Sequence, residues 1–132
     1  MEKPEISLKE LKKDFSFLKK DLEEGKILAV LLYGSYAKNM QHAKSDIDIC
    51  IVAQNYKTVN KQVDLLRYLW RNVNTNKYDV RLFEELPLYI KASVIKNYKI
   101  ILVGDEFELQ YYFYKIRKLW NDQSINWIEK KM

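Results

Sequence analysis

An apolar run that ends abruptly at a Gly-Ser pair constrains this sequence more than any other feature. Residues 27–33 form a continuous apolar run rich in residues that favour strands, which predicts a strand covered on both faces. Gly34 and Ser35 then supply a tight turn, and a short helix is predicted to start at Ser35 and extend to residue 40. A turn of this kind places backbone N–H groups at a helix N-terminus, where anions bind.

Two aspartates stand in the next predicted strand, which covers residues 46–53. Asp46 and Asp48 are two positions apart, so their side chains leave one face of the strand while Ile47 and Ile49 leave the other. Neighbouring carboxylates repel each other unless a cation lies between them. With His42 the only histidine and a single cysteine, a zinc cluster of His and Cys is excluded, so the pair predicts Mg²⁺ or Mn²⁺.

Length and composition indicate one globular domain spanning residues 1–132. No apolar run approaches the ~20 residues that cross a bilayer, and the N-terminus lacks the layout of a signal peptide. Cys50 has no second cysteine with which to form a disulfide. We therefore expect a cytoplasmic protein without membrane contact. The formal net charge of +5 can assist binding of triphosphates or nucleic acid. A lysine-rich solvated surface also explains this charge, and we favour that explanation.

Helices and strands alternate along the remainder of the chain. Ser7 and Glu10 form a capping-box pattern at the start of an N-terminal helix predicted over about 8–24. The other predicted elements are a helix capped by Thr58 and ending near 72–76, a strand over 78–83, a helix from Pro87, a strand over 99–103 and a C-terminal helix over about 106–130. This order predicts an α/β (α+β) fold.

The order of these elements and two spaced motifs closely resemble the minimal nucleotidyltransferases (MNT) of the DNA polymerase β superfamily. Their pattern is Gly-Ser-x-Ala-Arg-Gly, a short spacer and Ser-Asp-x-Asp-Leu. The matching residues here are Gly34, Ser35, Tyr36, Ala37, Lys38 and Asn39, then Ser45, Asp46, Ile47, Asp48 and Ile49. The resemblance implies a nucleotidyltransferase-like mixed β-sheet of about four strands flanked by helices.

Nucleotidyl transfer requires a triphosphate held in line with an attacking hydroxyl, with the charge on both oxygens neutralised by metal ions. Asp46 and Asp48 are the candidate ligands of two Mg²⁺ ions, with Mn²⁺ as the alternative. Asp79, in the predicted strand 78–83, would complete a catalytic and metal-binding triad and act as base on the hydroxyl. The resemblance implies the same role for this third carboxylate.

Five residues are candidates for binding the nucleotide, with ATP as the expected substrate. Gly34 lets the backbone approach the phosphates, and the Ser35 hydroxyl with the amides that follow it would hold the β- and γ-phosphates. Lys38 would supply positive charge, and Ser45 would support the carboxylates by a hydrogen bond. Tyr36 can contact the nucleotide or simply pack against the fold.

Two positions depart from the family pattern, and all three candidate aspartates have a purely structural alternative. Lys38 replaces the usual arginine and loses bidentate geometry, while Asn39 replaces a glycine but still tolerates left-handed backbone. Neither change removes a metal ligand, so we expect retained activity. Alternatively, Asp46 caps a turn and Asp48 pairs with a lysine, or Asp79 pairs with Arg81 or a lysine.

The C-terminal helix is apolar on nearly every side. Phe107, Tyr111 and Tyr114 form one stripe, and the other faces carry Leu109, Tyr112, Phe113, Ile116, Leu119 and Trp120. A domain this small cannot bury all of them, so we expect a protein partner or an oligomer interface along this helix. Stacking of nucleic acid on Tyr111, Tyr112, Lys115 and Lys118 is the disfavoured alternative.

The family resemblance also implies a function. Short members are commonly antitoxins paired with a helical HEPN toxin, and they neutralise the toxin by AMPylation of a tyrosine. We therefore expect transfer of AMP from ATP to a hydroxyl, with a HEPN toxin tyrosine as the leading acceptor. The alternatives are a non-catalytic module that masks its partner and a nucleotidyltransferase that acts on a small molecule.

Overall fold

The computed structural model describes residues 7–34 and 46–131, with side chains as far as residue 123. Its centre is a four-stranded sheet in which the strands, numbered in chain order, lie in the spatial order third, second, first, fourth. The first strand is antiparallel to both of its neighbours, whereas the second and third strands run parallel. The strands are β1 (Ala29–Leu32), β2 (Ile47–Val52), β3 (Tyr78–Leu82) and β4 (Lys99–Val103). This mixed sheet confirms the predicted α/β (α+β) fold class.

Helices occupy both faces of the sheet. They are α1 (Leu8–Asp14), α2 (Lys19–Glu23), α3 (Val59–Asn72), α4 (Leu88–Lys96) and α5 (Glu106–Lys131). A 3₁₀ turn over Ser16–Leu18 separates α1 from α2, so the segment predicted as one helix over 8–24 is divided. The Ser16 hydroxyl donates to the Lys13 carbonyl at 2.8 Å, and such local bonds compete with a continuous helix.

Side-chain caps start two of the helices where the sequence predicts them. The Ser7 hydroxyl accepts from the Glu10 amide at 3.1 Å, and the Thr58 hydroxyl accepts from the Lys61 amide at 3.2 Å. The Glu10 carboxylate is instead 2.6 Å from the Lys77 ammonium, next to the start of β3. The N-terminal helix is thereby tied to the strand that carries Asp79.

The alternation of side chains along β2 divides the core into two clusters. Ile47, Ile49 and Ile51 lie in the first cluster, beneath α1, α2 and α3, with residues such as Phe15 and Leu69. Cys50 and Val52 lie in the second, beneath α4 and α5. Asp48 belongs to this second face by alternation, because it lies two residues before Cys50. The Asp48 carboxylate therefore lies on the face of the second cluster, at the end of β2 that precedes the buried residues of that cluster.

The last helix buries one side and exposes the aromatic stripe that the sequence predicts. Leu109 and Phe113 are completely buried in the second cluster, whereas Phe107 is 82% exposed. Tyr111 and Tyr114 are more than half exposed. An apolar surface of this kind is typical of an interaction site. Among the described residues, no helix is both long and apolar enough to cross a membrane.

Glu84, in the turn after β3, is a largely buried carboxylate. One of its oxygens accepts from the Ala53 amide at 3.0 Å, and the other accepts from the Tyr112 hydroxyl at 3.0 Å. Burial raises the pKa of this carboxyl above its ordinary value of 4.5, although both hydrogen bonds oppose the change. The residue joins the end of β2 to α5.

We expect Glu84→Gln to change the pH dependence of stability, because the amide keeps the shape and a hydrogen-bonding oxygen but cannot ionise. A carboxyl group whose pKa is raised in the folded state stabilises the fold fully at pH values below its unfolded pKa of 4.5. This stabilisation is lost as the pH rises through the folded pKa. Urea unfolding of both proteins should therefore show the wild type losing stability relative to the variant towards neutral pH. A constant difference across that range would contradict the assignment.

Candidate active site

The parallel pairing of β2 with β3 brings two of the predicted aspartates together. Asp48 and Asp79 are direct partners in the register of the two strands, so their side chains lie side by side on one face. Asp46 immediately precedes β2 and is exposed. The sequence alone predicted that Asp46 and Asp48 share a face, but the position of Asp79 beside Asp48 required the strand order.

Gly34 lies on the other side of Asp48, just after β1. Its φ is +73°, in the left-handed region that glycine adopts without steric cost. A Cβ atom at this position would overlap Asp48 Oδ2 and lie 3.1 Å from its Cγ. The Tyr33 amide, one residue earlier, donates to the Asp48 carbonyl at 3.1 Å. The glycine therefore allows the backbone turn to approach the carboxylate closely.

The electrostatic environment of the site disfavours negative charge on Asp48. Partial burial raises the pKa of its carboxyl, and the nearby carboxylates of Asp79 and Asp46 raise it further, while Arg81 acts in the opposite direction. The Asp79 carboxylate lies 3.4 Å from Arg81 Nε, so Asp79 does make the ion pair that its structural alternative predicted. Among the described residues, Asp48 makes no salt bridge to a lysine.

Cation binding would relieve this repulsion. In the described part of the chain, no group of three or more His, Cys, Asp or Glu side chains is arranged to hold a metal ion. The donor chemistry nevertheless fits, because carboxylate oxygens are the ligands that Mg²⁺ prefers. Asp48 and Asp79 are adjacent in the sheet, and Asp46 is close enough to raise the pKa of Asp48. These three side chains are the candidate ligands.

Sequence reasoning did not assign two residues near the aspartates. Tyr33 has its pKa raised far above the ordinary tyrosine value, first by burial and then by neighbouring acidic groups that include Asp48. Its hydroxyl therefore stays neutral. Trp70, on α3, shares a surface pocket of about 500 Å³ with Asp46 and Asp79. Only the folded position of α3 beside β3 reveals this proximity, because no local motif marks Trp70.

Four of the predicted nucleotide-binding residues cannot be placed. Ser35, Tyr36, Lys38 and Ser45 lie outside the described residues, as does the short helix predicted over 35–40. Of the predicted nucleotide-binding set, only Gly34 is described. Their assignments stay predictions.

Fold and family together define the class of this protein, a nucleotidyltransferase. The chain belongs to the family described as Polymerase beta, Nucleotidyltransferase, whose model matches residues 15–107. The matched segment contains Gly34 and all three aspartates. The resemblance to the DNA polymerase β superfamily is therefore confirmed.

Two curated proteins of Methanocaldococcus jannaschii are similar in sequence. "Putative protein adenylyltransferase MJ1547" is 52% identical over 97 residues, which are 74% of this chain and 72% of that protein. "Putative protein adenylyltransferase MJ0141" is 35% identical over 87 residues, which are 66% of this chain and 79% of that protein.

Solved toxin–antitoxin structures share the fold. A chain from a toxin–antitoxin crystal structure with AMP-PNP superposes with a TM-score of 0.65 at 19% identity, covering 87% of this chain and 90% of that one. Another, from a complex of a tri-AMPylated Shewanella oneidensis HEPN toxin with MNT antitoxin, gives a TM-score of 0.62 at 16% identity. This superposition covers 91% of this chain and 92% of that one. At these identities the likeness concerns the fold alone.

Proposed function

We propose that this nucleotidyltransferase transfers AMP from ATP to a tyrosine hydroxyl of a protein partner, and that the partner is a HEPN toxin. The observation that carries the chemistry is the pairing of Asp48 with Asp79 in register, beside the turn at Gly34. Adjacent carboxylates are costly without a positively charged ligand, and Asp46 adds to the repulsion at Asp48. The names of the curated relatives and of the solved complexes support the choice of acceptor.

The reaction is an in-line displacement at the α-phosphorus of ATP. The acceptor oxygen forms a bond to this phosphorus, the bond to the bridging oxygen breaks, and pyrophosphate leaves with that electron pair. The hydroxyl proton passes to a carboxylate oxygen of Asp79, which acts as the general base. The backbone after Gly34, together with Ser35, would bind the leaving phosphates, and Lys38 would offset their charge.

Asp46, Asp48 and Asp79 would hold divalent cations, with Mg²⁺ preferred and Mn²⁺ as the alternative. When bound, such ions neutralise charge on the attacking and leaving oxygens. Arg81 Nε lies 3.4 Å from the Asp79 carboxylate and offsets part of its negative charge. Tyr33 and Ser45 are candidates to position the carboxylates. The whole chain, residues 1–132, is proposed to act as one domain.

The exposed stripe on α5 supports a protein partner. Phe107, Tyr111 and Tyr114 project from a helix whose opposite side is buried against the sheet. Aromatic residues are enriched in the centre of protein interfaces. The stripe is available for a toxin or for a second copy of this chain, and nucleic-acid binding is disfavoured.

The test uses ATP labelled on the α-phosphate, Mg²⁺, the purified protein and the partner that co-purifies from the native host. We expect label on a partner tyrosine, located by mass spectrometry, and none with an Asp46→Asn/Asp48→Asn variant. Omission of the metal should also abolish labelling. A partner that binds both proteins equally and takes no label from any nucleoside triphosphate would refute the proposed transfer.

One observation favours a second candidate, a non-catalytic module that masks its partner. In the described residues Asp79 pairs with Arg81, as its structural alternative predicts. A masking module would neutralise its partner equally well as wild type or as the double aspartate variant. The labelling experiment separates the two candidates directly.

A further inference from the structure

We infer that a groove outside β3 binds the acceptor polypeptide by pairing two arginines with an acidic residue near the acceptor tyrosine; this inference rests on the proposed function. We call this surface the acceptor groove, and define it by Arg67, Trp70, Arg71, Thr75 and Asp79. The strand order and the chemistry of in-line transfer indicate its location. Its surface charge indicates the class of ligand.

The strand order fixes the side from which the acceptor approaches. Gly34 and the phosphate-binding turn follow β1, while Asp79 lies on β3, and β2 with Asp48 runs between them. In an in-line displacement the attacking and leaving oxygens lie on opposite sides of the phosphorus. If pyrophosphate leaves on the β1 side, the hydroxyl must arrive from the β3 side. Because β3 is an edge strand, that side is open to solvent.

Two surface pockets share one lining residue, and the first of them borders this edge. The first has a volume of about 500 Å³ and is lined by Asp46, Trp70, Thr75, Tyr78, Asp79 and Val80. The second, of about 540 Å³, is lined by Asp64, Arg67, Trp70 and Arg71. Trp70 belongs to both pockets. A bound chain can therefore run from the two arginines across the indole ring and over the β3 edge to Asp79, whose side chain belongs by alternation to the face opposite α3.

The two arginines are available to bind an anion. Arg67 and Arg71 are exposed and lie one helical turn apart on α3. Neither forms a salt bridge among the described residues. Arg71 Nε donates to the Arg67 carbonyl at 3.2 Å, which leaves its terminal nitrogens free. Paired guanidinium groups bind carboxylates with defined geometry.

Trp70 also has a structural role, but that role does not account for the whole surface. Its indole N–H donates to the Val80 carbonyl at 3.4 Å, which covers part of the unpaired edge of β3. Nevertheless, 49% of the residue remains exposed. Protection of an edge strand does not require two unpaired arginines beside the indole. The exposed ring can pack against an apolar part of the acceptor.

The charge distribution favours a polypeptide over a nucleic acid. The acceptor groove is positive only at Arg67 and Arg71, since Asp64 lies beside them and Asp46 and Asp79 line its other end. A nucleic acid would bring its phosphates against these carboxylates. A peptide can instead present a neutral tyrosine to Asp79 and a carboxylate to the arginines. The acceptor sequence should therefore carry Asp or Glu a few residues from its tyrosine.

The experiment measures peptide binding by the side-chain indole signal of Trp70 in ¹⁵N-correlated NMR spectra, assigned with Trp70→Phe. The probes are a short peptide with one tyrosine followed by glutamates, the same peptide with glutamines, and a short oligoadenylate. We expect the acidic peptide to shift this signal and to bind about tenfold tighter than the glutamine peptide. Two charge-assisted contacts account for a difference of this size.

Matched variants identify the source of the preference. Arg67→Gln/Arg71→Gln should remove the difference between the two peptides, whereas Lys12→Gln/Lys19→Gln removes as much charge from exposed positions on α1 and α2 and should preserve it. Equal affinity for both peptides, no shift of the Trp70 signal, or stronger binding of the oligoadenylate would each overturn the inference. Failure of the wild type to label any partner would refute the proposed function instead, without altering these binding results.

Discussion

Asp48→Asn should reduce nucleotidyl transfer by about 10³-fold or more while leaving the fold intact. Loss of one carboxylate at a metal-dependent phosphoryl centre removes several kcal/mol of transition-state stabilisation, and each 1.36 kcal/mol is a factor of about ten in rate. Asp48 lies between Gly34 and Asp79, at the centre of the candidate site. The measurement is the initial rate of AMP transfer to the partner at saturating Mg²⁺ and ATP.

The same variant should melt at a higher temperature than the wild type in metal-free buffer. Burial and the neighbouring carboxylates raise the pKa of Asp48, so its contribution to stability is complete only below the unfolded pKa and is lost as pH rises through the folded value. Asparagine cannot ionise, so the variant avoids this loss of stability. The difference in melting temperature between the variant and the wild type should therefore widen from acidic to neutral pH. Added Mg²⁺ should stabilise the wild type alone.

Asp21→Asn is the matched control. Asp21 lies in α2, and its backbone carbonyl accepts a hydrogen bond from the Ile27 amide. Ile27 precedes β1 whereas Gly34 follows it, so Asp21 lies at the opposite end of this strand from the candidate site. This variant should transfer AMP at the wild-type rate. An Asp48→Asn protein that retains transfer would remove Asp48 from the catalytic centre. One that loses both activity and melting temperature would indicate a structural role for this aspartate.

Gly34→Ala should reduce transfer by about 10²-fold, through displacement of Asp48 rather than loss of a ligand. The added Cβ would overlap Asp48 Oδ2, and a shift of about 1 Å in a reacting geometry can cost this much. The left-handed backbone at φ +73° adds a stability cost of roughly 1–2 kcal/mol for alanine. The assay is again the initial rate of transfer, with urea unfolding measured in parallel.

Gly25→Ala separates the two effects of that substitution. Gly25 has the same φ of +73°, but a Cβ atom there would have no neighbour within 4 Å. Both variants should lose a similar amount of stability from the backbone, and only Gly34→Ala should lose activity. If Gly25→Ala lost transfer equally, the effect would come from general destabilisation, and the close approach of Gly34 to Asp48 would have no catalytic meaning.

Local patterns predicted most of the helices and strands that the structure describes, and they singled out the aspartates as candidates. The abrupt end of the apolar run at Gly34, the capping residues Ser7 and Thr58, and the spacing of Asp46 and Asp48 are all properties of neighbouring residues. Period-two alternation over residues 78–83 puts Asp79 on the face opposite Tyr78 and Val80, which are buried. The division of the first helix at Ser16–Leu18 was missed, because apolar spacing continues across it.

Strand order was decided only by the tertiary structure, and the complete site depends on it. A sequence pattern states which face of a strand a residue occupies but not which strand lies next to it. The parallel pairing of β2 with β3 set Asp79 beside Asp48, and the antiparallel pairing of β1 set Gly34 on the other side. Only the packing of α3 against the sheet brings Trp70, Arg67 and Arg71 close to the edge of β3. Contacts between residues distant in the chain come from burial of complementary faces, and no local pattern records them.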